Sequence, residues 1–390
     1  MDLRTLPTGL TPEQRCSERR SRVEQELKMD LSALAATKAS IGHADEKNCE
    51  QMLGSVPLPI GYAGPLSVTF SSGETKDIHL PLATTEGALV ASVNRGCKSL
   101  SASGGVRTSS LHHGISRSLA FKITGDIQSF TSTLEKRTPE WTSVAEGTSN
   151  HLKVLKHEID AKADHVFLTI FCDTDDAMGM NMVTIAAQAV GEWVEKTLPE
   201  ATFITVAGNV DSDKKPSQRV HDRGRGYEVA AEAILTPEVI RDVLKTTPEQ
   251  MLAVAEAKLK YGSEIAGALG KNLHAANIIA ALYLATGQDA AHVVEGSLTD
   301  TTASLTAETT ASPLRITIRC PAIIVGIRGG GTTLPAQSQC LQMLMHPKTS
   351  LHRKAQLAES IGAAVLAGEI SLLAAQASHT LSTAHRELAR

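Results

Sequence analysis

Aromatic side chains are scarce in this chain: six Phe, four Tyr and two Trp, 3% of 390 residues. A core with so few rings has to be built from Ala, Val, Leu and Ile, which favours close packing of helices and sheets over ring stacking. A basic surplus is also lacking. With 38 Lys and Arg against 42 Asp and Glu, the net charge is −4, and no positive field points to nucleic acid. The six cysteines (Cys16, Cys49, Cys97, Cys172, Cys320, Cys340) never fall in Cys-x-x-Cys spacing. Neither a zinc site nor a disulfide framework is indicated, and a reducing compartment fits. The N-terminus, MDLRTLPTGLTPEQRCSERR, has no apolar signal-peptide core, and no uninterrupted apolar stretch reads as long enough to span a bilayer. A soluble, cytoplasmic chain is expected, long enough for two or three domains or for one large domain with an insertion.

What is present is ordered. Thr11 caps a charged helix with Pro12 at its first position and Glu13 in its first turn. Three prolines and two glycines in SVPLPIGYAGPLSV shape a loop that leads into a strand over Leu66–Phe70. Thr84 or Thr85 is placed to cap a helix running through Ala88 to Leu100. From 119 to 205 strands and helices alternate: a strand at Ser118–Ile123, a helix around Ser129–Lys136, another from Ser149, the strand HVFLTIFC, a helix over Met182–Leu198 and the strand TFITV. That order predicts a compact α+β unit inserted in a larger domain. EIAGALGKNLHAANIIAALYLATGQDAAHVV reads as a nearly continuous small-residue helical region. LRITIRCPAIIVG is a strand, and an Ala-rich helix that breaks up near His385 closes the chain.

Several short stretches carry two readings each. Asp213-Lys214-Lys215-Pro216 is either a solvated turn or a device that presents a cation. DAMGMNM follows a buried strand, so its helix start is either a connector packed by methionines or an anion site. GIRGGGTTL is either a flexible turn or a close approach for a ligand, though it is neither GxGxxG nor a P-loop. Taken singly, Glu86 and Asp289 read as helix-end carboxylates, His274 as a core histidine and His385 as a surface one.

Taken together they resemble one family. PLPIGYAGPL, PLATTEGALVASVNRGCKSL, DAMGMNM, DKKP, NLHAANIIAALYLATGQDAA, GGGTTLPAQSQCLQML and LAGEISLL stand in the order and spacing of the catalytic portion of 3-hydroxy-3-methylglutaryl-CoA reductase, from about Cys49 onward. DAMGMNM with DKKP resembles the eukaryotic-type (class I) enzymes. The resemblance implies an α+β / α/β multidomain chain. It has a small N-terminal helical region over 1–50, a large α/β substrate domain over 51–118 and 206–390, and a small α+β (ferredoxin-like) NADP domain inserted at 119–205. It also implies a homodimer with shared sites, paired into a homotetramer. The implied reaction is an NADPH-dependent four-electron reduction of HMG-CoA to mevalonate, consuming two NADPH and no metal. Any tie to the endoplasmic reticulum would need a segment outside this chain.

Site roles follow from the same likeness. Lys214 is the cation for the oxyanion, Glu86 the acid, which burial or a neighbouring carboxylate must keep protonated, Asp289 the carboxylate coupling the two, and His385 the donor to the departing CoA thiolate, on a closing C-terminal flap. The acyl substrate is expected to meet Arg117, Asp213, Lys215, Lys258, His274, Asn277 and Leu372, and CoA to meet Ser92, Asn94 and Arg95. NADPH is expected against Ser149, Asn150, His151, Asp176, Met178, Gly179, Met180, Asn181, Arg328, Gly329 and Gly330. Four departures stand out. Ala207 replaces the family's serine ahead of DKKP, Asn150-His151 replaces Arg-Phe, Ile327-Arg328 replaces Thr-Val, and the tail lacks the family's Asn near His385. Arg328 is a candidate substitute for the missing arginine charge. Two further readings stay open: an inhibitor-tolerant duplicate of the enzyme, and a silent subunit that binds CoA esters.

Overall fold

The structure, a computed structural model, describes residues 5–27, 32, 35, 37–307, 312–346 and 349–379. His385 lies outside the described residues.

The strands are β1 (Ile60–Thr69), β2 (Thr75–Ala83), β3 (Val106–Ile123), β4 (Lys153–Lys162), β5 (His165–Asp173), β6 (Ala201–Thr205), β7 (Gly226–Leu235), β8 (Asp300–Leu305) and β9 (Leu314–Ile323). They form a mixed sheet of order β2-β1-β3-β7-β9-β8, with β4, β5 and β6 joined on through β3. Among the described residues the short β1–β3 pairing is the one parallel strand pair, besides an isolated parallel bridge between Ala177 and Arg328. The 18-residue β3 works twice: its first half pairs with β7, and its second half lies between β5 and β6. The handover falls at Gly114, where φ is +83° and an added Cβ would sit 2.8 Å from the Cys172 carbonyl oxygen. Glycine lets β5 come in where β7 leaves, so one strand ties two cores together.

The larger core packs β1, β2, β7 and β9 against the helices Leu89–Ala102, Ala275–Thr286 and Arg353–Ala377. The smaller core packs the second half of β3 and β5 against Ile127–Lys136, Thr138–Glu146 and Met180–Thr197. Small side chains permit the close crossings that the composition suggested. At Gly96 a Cβ would lie 1.9 Å from the Ala367 carbonyl oxygen, so the helix Leu89–Ala102 rides directly on the backbone of Arg353–Ala377.

That last helix corrects the expectation about apolar stretches. Arg353–Ala377 is long and apolar enough to cross a membrane by length and composition, and it is buried along nearly its whole length inside the fold. Two carboxylates interrupt its apolar run, and both are fully satisfied. Glu359 accepts from Ser71 N–H at 2.9 Å and from the Ser71, Thr108 and Ser110 hydroxyls at 2.6, 2.7 and 2.7 Å. Glu369 accepts from the Leu273 and His274 N–H groups at 2.8 Å each and from Thr301 Oγ1 at 2.7 Å. Buried carboxylates persist where charge-assisted hydrogen bonds replace water.

Other expectations shift locally. No helix starts at Ser149; the helix is Thr138–Glu146, and the chain then enters β4. β4 borders the smaller sheet and alternates weakly, KVLKHEIDAK, because an exposed edge needs charge more than it needs an apolar face. The run from Glu264 to Val294 is broken at Gly267 and Gly287, whose φ values of +64° and +71° end the turns that precede them. Neither Thr84 nor Thr85 caps the next helix. Ala88 is its N-cap at φ +70°, while Thr84 Oγ1 accepts from the Glu86 N–H at 3.0 Å.

Candidate active site

The turn after β6 carries Lys214, and its geometry is enforced from behind. Lys214 sits at φ +57°, a left-handed conformation that costs a residue with a Cβ about 1–2 kcal/mol. Its N–H donates to Glu295 Oε1 at 2.6 Å, and the Glu295 side chain is wholly buried. The buried Arg225 guanidinium donates from Nη1 to Glu295 Oε1 and to Asp213 Oδ1, each at 3.0 Å, and from Nε to Ser116 Oγ at 3.0 Å. Arg117 closes the other side, reaching Asp213 Oδ2 at 3.1 Å, Asp211 Oδ2 at 3.3 Å and Thr184 Oγ1 at 2.9 Å. Burial pushes the Asp213 carboxyl up, but the two guanidinium groups outweigh it and hold Asp213 below the ordinary carboxylate range. At Asp211 burial prevails over the same arginines and the shift is upward.

Held this way, the Lys214 ammonium meets Asp289 Oδ2 at 2.7 Å, with 40% of the lysine side chain still exposed to a ligand. Asp289 also accepts from the Ala291 N–H at 3.1 Å. Burial raises the Asp289 carboxyl and these donors outweigh it, so the net shift is downward. Lys215 is exposed, and its ammonium donates back to the Asp213 carbonyl at 3.1 Å.

Contrary to the expected burial or neighbouring carboxylate, Glu86 is exposed in the single chain and accepts from Asn277 Nδ2 at 2.8 Å, joining the loop before Leu89 to the helix Ala275–Thr286. Among the described residues no hydrogen bond or ion pair links this pair to Lys214 and Asp289. The expected quartet therefore stands as two separate pairs within one chain, with its fourth member outside the described residues.

A cavity of about 860 Å³ opens beside Lys214 and Asp289. Ser149, Met178 to Asn181 and Arg328 to Gly330 all line it. Backbone contact between glycines assembles the walls. A Cβ at Gly287 would lie 2.3 Å from the Gly331 carbonyl oxygen, and one at Gly326 would lie 2.4 Å from the Met178 nitrogen. The Asp289 loop, the Arg328 loop and the DAMGMNM turn are thereby drawn together. Gly329 and Gly330, at φ +78° and +54°, have open space where a side chain would stand.

Not every expected residue comes here. Asn150 and His151 lie outside the cavity wall, and His151 Nδ1 pairs with Asp175 Oδ2 at 3.1 Å. Asp176 contributes its carbonyl, which accepts from Ile327 N–H at 2.9 Å and sets the Arg328 loop in place. Arg95 and Ser92 turn to the core helix: Arg95 donates to Ser371 Oγ at 3.0 Å and to the Ser371 carbonyl at 2.7 Å, and Ser92 Oγ meets Ser371 Oγ at 3.0 Å. Burial lowers the Arg95 guanidinium from its ordinary value. Asn94 Oδ1 accepts from Gly64 N–H at 3.0 Å. His274 caps the helix Ala275–Thr286, with its Nε2 buried and unpartnered beside Gly368. Leu372 lies half-buried on the core helix and Lys258 on the turn Glu256–Gly262. Neither is bonded to the Lys214 cluster among the described residues.

Arg225, Glu295, Asp211 and His292 escaped the sequence reading. A lone Glu in the apolar HVVEGS and an Arg between two glycines in RGRGY were the available signals. Each needed a distant partner before it meant anything.

The family profile described as hydroxymethylglutaryl-coenzyme A reductase matches residues 15–390. The enzyme of that name from Methanocaldococcus jannaschii is 38% identical over 381 residues, covering 95% of this chain and 92% of its own. That from Haloferax volcanii is 41% identical over 356 residues, covering 89% and 86%. The chain belongs to the hydroxymethylglutaryl-coenzyme A reductase family. In fold it is similar to the class II reductase of Streptococcus pneumoniae solved with NADPH, at a TM-score of 0.70 and 18% identity, covering 92% of this chain and 86% of that one. These reductases are archaeal and bacterial, so they lend no support to the eukaryotic-type assignment drawn from DAMGMNM and DKKP.

Proposed function

We propose that this chain reduces (S)-3-hydroxy-3-methylglutaryl-CoA to mevalonate and CoA through a mevaldyl-CoA hemithioacetal, consuming two NADPH and no metal. One observation carries the reading: the Lys214–Asp289 pair and the segments Met178–Asn181 and Arg328–Gly330 face a single cavity. The cavity suits a dinucleotide in size, in the open glycine backbone at 329 and 330, and in the exposed Arg328 cation at its rim. Bound there, NADPH supplies hydride.

The protein's part is electrostatic and positional. When the thioester carbon takes hydride, the electron pair moves to its oxygen, and the Lys214 ammonium neutralises that charge. Asp289 keeps the ammonium aimed, and the Glu295–Arg225–Asp213 lattice keeps the turn that bears it. Protons then reach oxygen from Lys214 Nζ and from Glu86, which Asn277 orients. His385 serves the thiolate, and Lys215, Lys258 and the remaining donors of Arg117 serve the substrate carboxylate.

Glu86 is exposed and unbonded to Lys214 or Asp289 among the described residues, which supports a homodimer in which each site draws from both copies, with dimers paired into tetramers. The order β4-β5-β3-β6, all antiparallel with helices in the crossovers, supports the ferredoxin-like reading of 119–205. An absorbance assay at the NADPH band with HMG-CoA, run on the native protein and on Lys214→Met, tests the proposal. The native protein oxidises NADPH, and the variant loses on the order of a hundredfold or more in kcat while still binding HMG-CoA. A variant that turns over like the native enzyme sinks the mechanism.

A further inference from the structure

His292 has no role in the chemistry described so far, yet it is wedged into the middle of it. Its side chain is wholly buried, on the short turn Ala290–His292 that Asp289 caps. The ring lies between two carboxylates. Nδ1 faces Glu295 Oε1 at 3.3 Å, and Nε2 faces Asp289 Oδ2 at 3.8 Å with no hydrogen-bond partner. Asp289 Oδ2 is the same oxygen that receives the Lys214 ammonium, and Glu295 Oε1 is the same oxygen that receives the Lys214 N–H. Asp213, Glu295 and His292 bring oxygens and a ring nitrogen within 4.8 Å of one another, as a metal site would. The cation between Asp213 and Glu295, however, is the Arg225 guanidinium, 3.0 Å from each.

We propose that His292 is a positioning residue for reduction: its ring spans from Glu295 to Asp289, and its Nε2–H, 3.8 Å from Asp289 Oδ2, is placed to take that oxygen when the Lys214 ammonium leaves it. The inference rests on the reductase reading above and deepens it. A buried ring nitrogen without a partner costs about 1–3 kcal/mol, a cost that a bond to Asp289 would remove. A sub-ångström rotation of the Asp289 carboxylate toward the ring turns 3.8 Å into a hydrogen bond. That rotation accompanies any movement of the Lys214 ammonium off Asp289 and onto a substrate oxygen. The carboxylate that Lys214 leaves is then caught by His292 instead of following the ammonium. The ring thereby keeps Asp289 from competing with the developing oxyanion.

The two ring nitrogens are separable by mutation. In His292→Gln the side-chain amide reaches the Nε2 position and still donates to Asp289. In His292→Asn the shorter amide reaches only the Nδ1 position, beside Glu295, and leaves Asp289 without that donor. The proposal expects His292→Asn to keep its melting temperature near the native one and its KM for HMG-CoA unchanged, while kcat falls on the order of tenfold to a hundredfold. His292→Gln restores most of that loss. Equal kcat values in the two variants, whether both high or both low, overturn it. A crystal structure of His292→Asn reads the same claim without turnover. With HMG-CoA bound, Asp289 is expected to turn toward His292 in the native protein and to stay on Lys214 in His292→Asn, and the same Asp289 rotamer in both complexes refutes the positioning role. A native protein that fails to oxidise NADPH would instead overturn the reductase reading, and the crystallographic comparison would still decide the His292 claim.

Discussion

Glu295→Gln is the sharpest test of whether the lattice behind the turn sets Lys214 for the reaction proposed for it. The substitution keeps shape and volume and removes one charge. In the native protein the carboxylate oxygen Oε1 receives two donors, Lys214 N–H at 2.6 Å and Arg225 Nη1 at 3.0 Å, and lies 3.3 Å from His292 Nδ1. Hydrogen bonds to a charged group contribute about 1.5–3 kcal/mol and neutral ones about 0.5–1.5, so the Lys214 bond weakens by roughly 1–1.5 kcal/mol. The left-handed backbone at Lys214 costs about 1–2 kcal/mol. The weakened bond no longer outweighs that cost, and the turn relaxes in a substantial share of molecules. Each 1.36 kcal/mol is about tenfold in rate, so kcat is expected to fall roughly tenfold, with KM for HMG-CoA little changed. Arg225 also loses one of its two charged partners, keeping Asp213, so the melting temperature falls too. The assay is NADPH oxidation at saturating HMG-CoA beside thermal unfolding of the same samples. A variant that melts lower and turns over at the native rate would show that Glu295 supports the fold alone.

Other outcomes follow from the same geometry. Gly96→Ala drives a methyl to 1.9 Å from the Ala367 carbonyl oxygen. Such overpacking costs about 1–3 kcal/mol or more, and an unchanged melting temperature would refute the close crossing. Arg328→Ala is expected to weaken NADP⁺ roughly tenfold to a hundredfold and leave NAD⁺ unchanged in calorimetric titrations. Equal losses for both cofactors would place the guanidinium elsewhere than at the 2′-phosphate. Asp213 and Asp289 have carboxyls lowered by folding. Their contribution to stability is full above the unfolded value, about 3.9, and is lost as pH falls through the lowered folded values. Asp213→Asn should flatten the acid limb of a melting-temperature profile, and an unaltered slope argues against the pairing with Arg117 and Arg225.

The sequence by itself determined the family, the order of the segments and the strands and helices with strong periodicity. HVFLTIFC, Met182–Leu198 and LRITIRCPAIIVG fall within a residue or a few of β5, the helix Met180–Thr197 and β9. It also placed Lys214 and Asp289 in one reading, and the structure joins them. Local composition sufficed there, because apolar period and turn residues act between near neighbours. It misjudged β4, whose charged edge hides its alternation, and the breaks at Gly267 and Gly287, where a left-handed turn interrupts a run apolar on both sides.

Tertiary structure alone decided the rest. Nothing near Arg225 in the chain says that it is buried between Asp213 and Glu295, 12 and 70 residues away. No local pattern says that Gly287 and Gly331 touch backbone to backbone and so bring Asp289 and Arg328 to one cavity. A buried charge is tolerable only with its partners, and those partners come from separate elements that meet once both cores have packed on β3. That is why the Lys214–Asp289 pair was legible in the sequence and the lattice that holds it was not.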